Sequence, residues 1–382
     1  EHYMRFIHTA DWHLGRIFHG MHLTDDQAYI LANLELLLKD EKPDAYIISG
    51  DIYDRSVPPP ESVKLLSSHL DYVVRGLKIP VIMIAGNHDG AERLDFCSNM
   101  MKGSGLNISG IFSGAVAPVI LEDEHGPVYF YPVPYADPER MKPALQADEV
   151  ISHNSCITLY TDMILAAKPS GVRSVAVAHA FVSGGTSSES ERPLSIGGAG
   201  VVGASAFSGF CYTALGHLHA PQNISDTIRY SGSLMKYSLS EESHNKSVTL
   251  VEIDRTGNVK TGEIALIPRR DLRIVEGSFK EILGADDPLN REDYVAVKLT
   301  DREAVYDAMN RLRSVYPNII HLERTEFSTS GELAAGRAGL KHSDMDLFTS
   351  FYLNVTGNEP DENEMAIVGS ILEERVKAEE SL

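Results

Sequence analysis

The sequence predicts an α/β fold, and three observations carry that prediction. Four short runs, Met4 to Ile7, Ala45 to Ile48, Val81 to Ile84 and Val175 to Val177, are almost wholly apolar and read as strands buried on both faces. Segments with helical periodicity lie between them. Each run is followed within a few residues by Asp, His or Asn, which places these polar side chains where strand ends converge on one edge of a sheet.

After the first strand, Thr24-Asp25-Asp26-Gln27 reads as a capping box that opens a helix to about Lys39, with Ile30, Leu31, Leu34, Leu37 and Leu38 on its apolar face. Further helices are expected from about Glu61 to Arg75, Ala91 to Met101 and Ile151 to Ala167. Strands are expected near Val128 to Tyr131, Tyr212 to Leu215 and Ile228 to Tyr230. Those at Ser247 to Ile253 and Val259 to Ile264 form a hairpin turned at Asp254 to Asn258. The Gly- and Ser-rich stretch from Ser183 to Gly203 is too long for an ordinary connection. It reads either as a mobile surface loop or as a loop at the substrate's edge.

Near Pro268 the pattern changes. Leu272 to Val275, Phe279 to Leu283, Tyr294 to Leu299, Ala304 to Arg313 and Ile319 to Leu322 alternate strand and helix signals, as in a small α+β domain. Residues 328–342 read as a linker rich in Ser, Gly, Ala and Lys. Leu347, Phe348, Phe351, Tyr352 and Val355, then Met365, Val368, Leu372 and Val376, stripe two amphipathic helices joined by Asn358 to Asp361. The domains expected are therefore 4–268, 269–327, a linker at 328–342 and a helical hairpin at 343–380.

With 382 residues and 43% hydrophobic content, the chain can bury a large core. No apolar run approaches the roughly 18–20 residues of a membrane span. Glu1-His2-Tyr3 reads as a remnant ahead of Met4, with no signal segment. Cys97, Cys156 and Cys211 stand apart, which argues against a disulfide framework and for a cytoplasmic protein. The net charge of −20, from 34 basic and 54 acidic residues, predicts repulsion from a phosphate backbone. Part of it is concentrated in residues 340–382, which hold ten acidic and three basic side chains.

Five segments carry the chemistry: Asp11-Trp12-His13, Gly50-Asp51-Ile52-Tyr53-Asp54, Gly86-Asn87-His88-Asp89, His179, and Gly216-His217-Leu218-His219. Asp11, His13, Asp51, Asn87, His179, His217 and His219 together make seven ligands for two divalent metal ions. Two ions about 3.5–4 Å apart need a bridging carboxylate. Imidazoles with carboxylates and an amide oxygen favour Mn, Fe or Zn over the all-oxygen shells of Ca or Mg. Any one segment alone is common in solvated loops; the ordered set at strand ends is not. His19, His22, His69 and His244 read as solvent-exposed, and Trp12 as packing beside the ligands.

This order of motifs resembles the calcineurin-like metallophosphoesterases. The wording of His8 to Gly15, Gly50 to Asp54 with Pro58-Pro59-Pro60, Val182 to Gly185, Ser195 to Gly198 and Ala214 to Gln222 is similar to the SbcD family of nuclease subunits. The resemblance runs from Met4 to about residue 270 and continues more loosely beyond.

It implies a four-layer α/β/β/α sandwich with a small capping domain and a C-terminal helix pair. It also implies a Mn-dependent DNA double-strand exonuclease and single-strand endonuclease acting in DNA repair and recombination, by two-metal phosphodiester hydrolysis. Partners implied are DNA, an SbcC-type ATPase docked on the terminal helices, and a second copy of the chain near the second and third motifs. Mg, Fe or Zn are alternatives to Mn.

By motif position, Asp11, His13, Asp51 and His219 hold one ion, and Asp51, Asn87, His179 and His217 the other. His88 is a non-ligand catalytic residue and Asp89 its orienting partner. Asp54 stands where some relatives carry histidine, and its role is open. Arg269, Arg270 and Arg273 are candidate phosphate contacts. Two other readings are a small-nucleotide phosphodiesterase or phosphatase on the same platform, and a non-catalytic protein-binding scaffold.

Overall fold

The computed structural model describes residues 3–112, 117–148, 150–191, 200–285, 290–301, 305–324, 345, 348–349, 352–353, 359–361 and 364–370. The chain divides into two units, Glu1–Glu323 and Arg324–Leu382.

The first unit opens with β1 (Met4–Thr9), the short pair β2 (Ile17–Phe18) and β3 (Met21–His22), and α1 (Thr24–Glu41). Then come β4 (Ala45–Ser49), α2 (Pro60–Asp71), β5 (Val81–Ile84), the one-turn helices α3 (Ala91–Leu94) and α4 (Ser98–Met101), and β6 (Leu106–Ser109). Next are β7 (Val119–Asp123), β8 (Gly126–Val133), α5 (Pro138–Leu145), α6 (His153–Ala167) and β9 (Arg173–His179). They are followed by β10 (Phe181–Val182), β11 (Val201–Val202), β12 (Tyr212–Gly216), β13 (Gln222–Ser225), β14 (Ile228–Tyr230), β15 (Ser247–Ile253) and β16 (Val259–Ala265). The last are β17 (Leu272–Gly277), α7 (Phe279–Leu283), β18 (Tyr294–Leu299), α8 (Ala308–Leu312) and β19 (Ile319–Arg324).

Two six-stranded sheets form the body, in the orders β16-β15-β1-β4-β5-β6 and β13-β14-β12-β9-β8-β7. Within the first, β1, β4, β5 and β6 run parallel; within the second, β8, β9, β12 and β14 do. The two-residue period of a strand then sorts the apolar side chains into layers. Phe6, Ala45, Ile47, Ile82 and Ile84 meet Phe130, Val175, Val177, Tyr212 and Ala214 between the sheets. Their alternates Ile7, Tyr46, Ile48, Val81 and Met83 pack under α1 and α2 with Ile30, Leu34, Leu66 and Leu70. On the far side, Ala176, Ala178 and Leu215 pack with Cys156, Ile157 and Ile164 of α6. Helix, sheet, sheet and helix thus stack as four layers.

A third sheet, β17-β18-β19, buries Val295, Val297 and Leu299 against Phe279, Ile282 and Leu312 of α7 and α8. It is tied to α1 by Asp26, fully buried, whose Oδ2 accepts from Arg270 Nη1 at 2.9 Å and from the Tyr294 hydroxyl at 2.8 Å. Arg273 donates to Asp293 Oδ2 at 2.8 Å. Arg270 and Arg273 are thus committed to protein partners, whereas Arg269 is exposed.

In the second unit, Met345, Phe348, Thr349, Tyr352 and Leu353 are helical, as are Glu364–Ser370. Thr349 Oγ1 lies 3.6 Å from Met365 Sδ, and the Tyr352 hydroxyl donates to the Glu364 carboxylate, so the two segments touch. Of the side chains expected to stripe them, Leu347, Phe351, Val355, Leu372 and Val376 lie outside the described residues, as does the linker at 328–342.

Several elements depart from the sequence reading. Thr24 does not cap α1: it is the first helical residue, Leu23 occupies the cap position, and no side chain bonds there. The expected helix from Ala91 to Met101 is broken, with Cys97 left-handed at φ 61° between α3 and α4. The helix α5 was not anticipated. His69 is buried edge-on to Trp12, its Nδ1 3.0 Å from Glu35 Oε1, rather than exposed.

Candidate metal centre

The loops after β1, β4 and β5 supply Asp11, His13, Asp51, Asn87 and His88 from one sheet. The end of β9 and the loop after β12 supply His179, His217 and His219 from the other. The backbone passes so close to its neighbours here, within the first sheet and across the seam, that glycine is required beside the ligands. A Cβ on Gly86 would stand 2.1 Å from Asp51 Oδ1, and one on Gly216 would stand 1.9 Å from the Ser49 carbonyl oxygen.

Backbone strain gathers at the same place. Asp11, His13 and Asp51 are left-handed at φ 54°, 46° and 49°, and His217 has φ 111°. Each such non-glycine residue costs about 1–2 kcal/mol. The surroundings hold them: Asp11 N–H donates to Gly50 O and His13 N–H to Asp51 O, both at 3.0 Å. Gln27 of α1 completes the clamp, its Nε2 donating to His13 O at 2.7 Å and its Oε1 accepting from Gly15 N–H at 2.9 Å.

The donor atoms converge as the motifs require. His13 Nε2 and His219 Nε2 are 3.0 Å apart. Asn87 Oδ1 lies 2.9 Å from His179 Nε2 and 3.1 Å from His217 Nδ1. Asp51 Oδ2 stands between the two groups, 3.9 Å from His13 Nε2 and 3.5 Å from His179 Nε2. Two nitrogens each about 2.1 Å from one cation at a right angle are about 3 Å apart, so the His13–His219 spacing fits shared ligation. Asp11, His13 and His219 form one group able to hold an ion, Asp11, Asp51 and His179 a second, and His13, Asp51 and His88 a third.

Two of the candidate ligand imidazoles have their tautomer set from outside. His179 Nδ1 is 2.9 Å from the Ser49 carbonyl, which only accepts, so Nε2 keeps its lone pair for the cluster. His219 Nδ1 lies 2.7 Å from Ser190 Oγ and 3.1 Å from Glu241 Oε1, which leaves its Nε2 facing His13.

Charge tells the same story. Asp11, His13, Asp51, His179, His217 and His219 are each at most 3% exposed, so their charged forms are poorly solvated. Burial, then the Asp51 carboxylate, holds Asp11 well above the usual carboxylate range. Burial keeps His13 and His217 well below the usual imidazole value and pushes His179 down to about 4. A buried carboxyl that resists ionisation beside imidazoles that stay neutral makes a site for divalent cations.

The remaining candidates take other places. His88 N–H donates to Asp51 Oδ1 at 2.8 Å, its Nδ1 lies 2.8 Å from the Asp54 carbonyl, and its Nε2 is 3.9 Å from Asp51 Oδ2. Asp89, expected to orient the His88 ring, instead turns its carboxylate to the backbone N–H groups of Ile52, Tyr53 and Gly86 at 2.9–3.1 Å. It staples the second motif to the third, and burial followed by Asp51 pushes it up to about 7. The Asp54 carboxylate accepts from Arg16 Nη1 at 2.8 Å and lies 3.7 Å from His13 Nδ1.

Sequence reasoning missed Gln27, Ser190, Glu241 and Lys246. Gln27 was read only as part of a capping box, and Ser190, Glu241 and Lys246 stand in no local motif and reach His219 from segments remote from it. For the stretch from Ser183, residues 183–191 are tied down: Gln222 exchanges bonds with Thr186 N–H and O at 2.8 and 2.9 Å, and Glu189 N–H donates to Ser240 Oγ at 3.0 Å. Residues 192–199 lie outside the described residues.

Two sheets closing on a buried His, Asp and Asn cluster define a metallophosphoesterase. The calcineurin-like phosphoesterase family matches residues 4–185. The match ends before His217 and His219, which the fold brings to the same cluster. A second match, to the SbcD C-terminal family described as the Type 5 capsule protein repressor C-terminal domain, spans residues 268–373. With both regions in this order, the chain is an SbcD-like protein.

Among solved structures, the chain is similar to TT1561 of Thermus thermophilus, with 12% identity and a TM-score of 0.38 over 69% of this chain and 99% of that one. It is also similar to a dimetal phosphatase from Danio rerio, with 11% identity and a TM-score of 0.39 over 70% of this chain and 100% of that one. Among the described residues, no helix is long and apolar enough to cross a membrane.

Proposed function

We propose that this chain is a Mn-dependent DNA exonuclease and endonuclease that works with an SbcC-type ATPase in DNA repair and recombination. The observation that carries the reading is the convergence of all seven candidate ligands and His88 at one inter-sheet seam, in a chain whose C-terminal region matches the SbcD family.

Asp11, His13, Asp51 and His219 would hold one ion, and Asp51, Asn87, His179 and His217 the other. When bound, two divalent ions supply Lewis acidity at the phosphodiester and lower the pKa of water. The rest falls to the chain. His88 Nδ1 donates to the Asp54 carbonyl, which aims Nε2 at the cluster. From there a protonated imidazole steadies charge on the phosphoryl oxygens or delivers its Nε2 proton to the leaving oxygen. Asp89 acts through the backbone, fixing the loops that carry Asp51 and Asn87. Asp54, bonded to Arg16, holds that guanidinium beside His13.

Region 269–327 would cap the DNA path, and the helix pair in 343–380 would dock the ATPase. The acidic charge makes tight DNA binding by the isolated chain unfavourable, and the partner would supply much of the grip. A homodimer would use the face of α2, α3 and α4, where a groove of about 720 Å³ is lined by Leu66, Leu70, Val74 and Leu94. Val63 and Phe96 are exposed beside it.

The test is cleavage of a labelled DNA duplex and of an aryl phosphodiester by the purified chain with Mn²⁺ or Mg²⁺, beside His88→Leu. DNA degradation that needs Mn²⁺ and is lost in a His88→Leu protein still holding both ions is expected. Loss of metal in that variant would sink the non-ligand role of His88. Hydrolysis of the small ester without DNA cleavage, unchanged when the ATPase is added, would favour a small-substrate phosphodiesterase.

A further inference from the structure

The segment that follows His179 returns to the metal centre from the side and meets the other end of the ligand set. Ser190 is buried, with Oγ 2.7 Å from His219 Nδ1 and 2.5 Å from Glu241 Oε1. Glu191, its neighbour, accepts the His219 N–H on Oε1 at 2.7 Å, and its Oε2 accepts from Ser188 N–H and hydroxyl at 2.5 and 2.7 Å. Two consecutive residues of one segment therefore grip both the side chain and the main chain of a single ligand.

The direction of each bond follows from the groups. Glu241 is fully buried, and Lys246 Nζ sits 2.5 Å from its Oε2 while also donating to Ser233 Oγ and His219 O, both at 2.8 Å. The Lys246 ammonium, paired with Oε2 in the buried interior, marks Glu241 as the carboxylate of an ion pair. A carboxylate only accepts, so the Ser190 hydroxyl proton goes to Glu241 and its lone pair faces His219 Nδ1. That nitrogen must then carry the ring proton, which leaves Nε2 as the donor atom 3.0 Å from His13 Nε2.

We propose that Ser190 is a positioning residue for His219: its hydroxyl, oriented by Glu241, fixes the imidazole tautomer and ring plane that the metal centre needs. The proposal rests on reading the cluster as a metal centre. It also assigns the segment a role distinct from contact with substrate, since its placement and the readiness of one ligand are the same event. Glu241 Oε1, 3.1 Å from Nδ1, is a longer fallback acceptor, so losing the hydroxyl weakens the ligand without removing it.

The experiment is calorimetric titration of the full chain with Mn²⁺, alongside thermal unfolding in chelator, for the wild type, Ser190→Ala and Ser190→Thr. The wild type is expected to take up two ions. Ser190→Ala should keep that stoichiometry and bind one of them about 10–100-fold more weakly. Its unfolding in chelator should match the wild type, and Ser190→Thr, which keeps the hydroxyl, should restore affinity. Wild-type affinity at both sites in Ser190→Ala would overturn the proposal. So would a loss shared by both sites and matched by lower stability in chelator, which marks mere packing. A wild-type chain that takes up no Mn²⁺ would instead overturn the metal reading beneath it.

Discussion

His8 lies between the sheets, and its neutral form is fully satisfied. Its Nε2 is 3.1 Å from Leu215 O, so it donates there, and its Nδ1 accepts from the Tyr212 hydroxyl at 3.0 Å. Burial pushes its pKa down to about 3 from the ordinary 6.5. A depressed imidazole stabilises the fold above pH 6.5, and that contribution is lost as pH falls through 6.5 towards 3, by up to about 1.4 kcal/mol per unit. Unfolding of the metal-free chain against pH should therefore fall more steeply on the acid side for the wild type than for His8→Gln, which keeps a donor and an acceptor. Parallel curves would show that His8 is not buried neutral. Gly216 is constrained by space. Because a Cβ there would overlap the Ser49 carbonyl, Gly216→Ala should push the sheets apart and cut Mn²⁺ uptake even where the fold survives, as metal analysis of the purified variant would show.

At the scale of elements, α1 connects regions distant in sequence. Asp26 faces β18 and the segment before β17, while Gln27, one position on, clamps the loop of Asp11 to Gly15. Gln27→Leu removes partners from buried backbone groups of Gly15 and His13, each worth about 1–3 kcal/mol when left unmade. Denaturant titration should show a loss of at least about 2 kcal/mol, and a neutral result would mean water replaces the amide.

The same helix shows what sequence could and could not convey. Its extent and apolar face were legible because Ile30, Leu31, Leu34 and Leu38 repeat at helical spacing, but Gln27 looked like a cap because its real partners are twelve to fifteen residues away. The strands β1, β4, β5 and β9 were legible because both faces are buried, and the candidate ligands because each sits in a short motif at a strand end. The edge strands β6, β7 and β13, only partly buried, were not anticipated. Asp89 was misread because adjacency to His88 suggested a pair, whereas neighbouring side chains point apart. The helix α5 carries Pro143 and buries only Met141, leaving little periodic signal. Ser190 and Glu241 find His219 only through folding.

For the whole molecule, the exposed apolar face beside α2 bears on assembly. If it joins two copies, light scattering should give twice the chain mass for the wild type and one chain mass for Phe96→Glu; a wild-type monomer would refute the dimer.

The division of the candidate ligands between two sheets reaches further. Asp11, His13, Asp51 and Asn87 belong to one half of the sandwich, and His179, His217 and His219 to the other, where side-chain packing and hydrogen bonds also cross the seam. Bound cations would act as a buckle across that seam. At a hundredfold excess over Kd, each would add about 2.7 kcal/mol to the folded state by mass action. Chelation would then cost more than turnover: it would unfasten the halves, and faster amide hydrogen exchange should appear first along β4 and β9, the strands that face each other beneath the buckle.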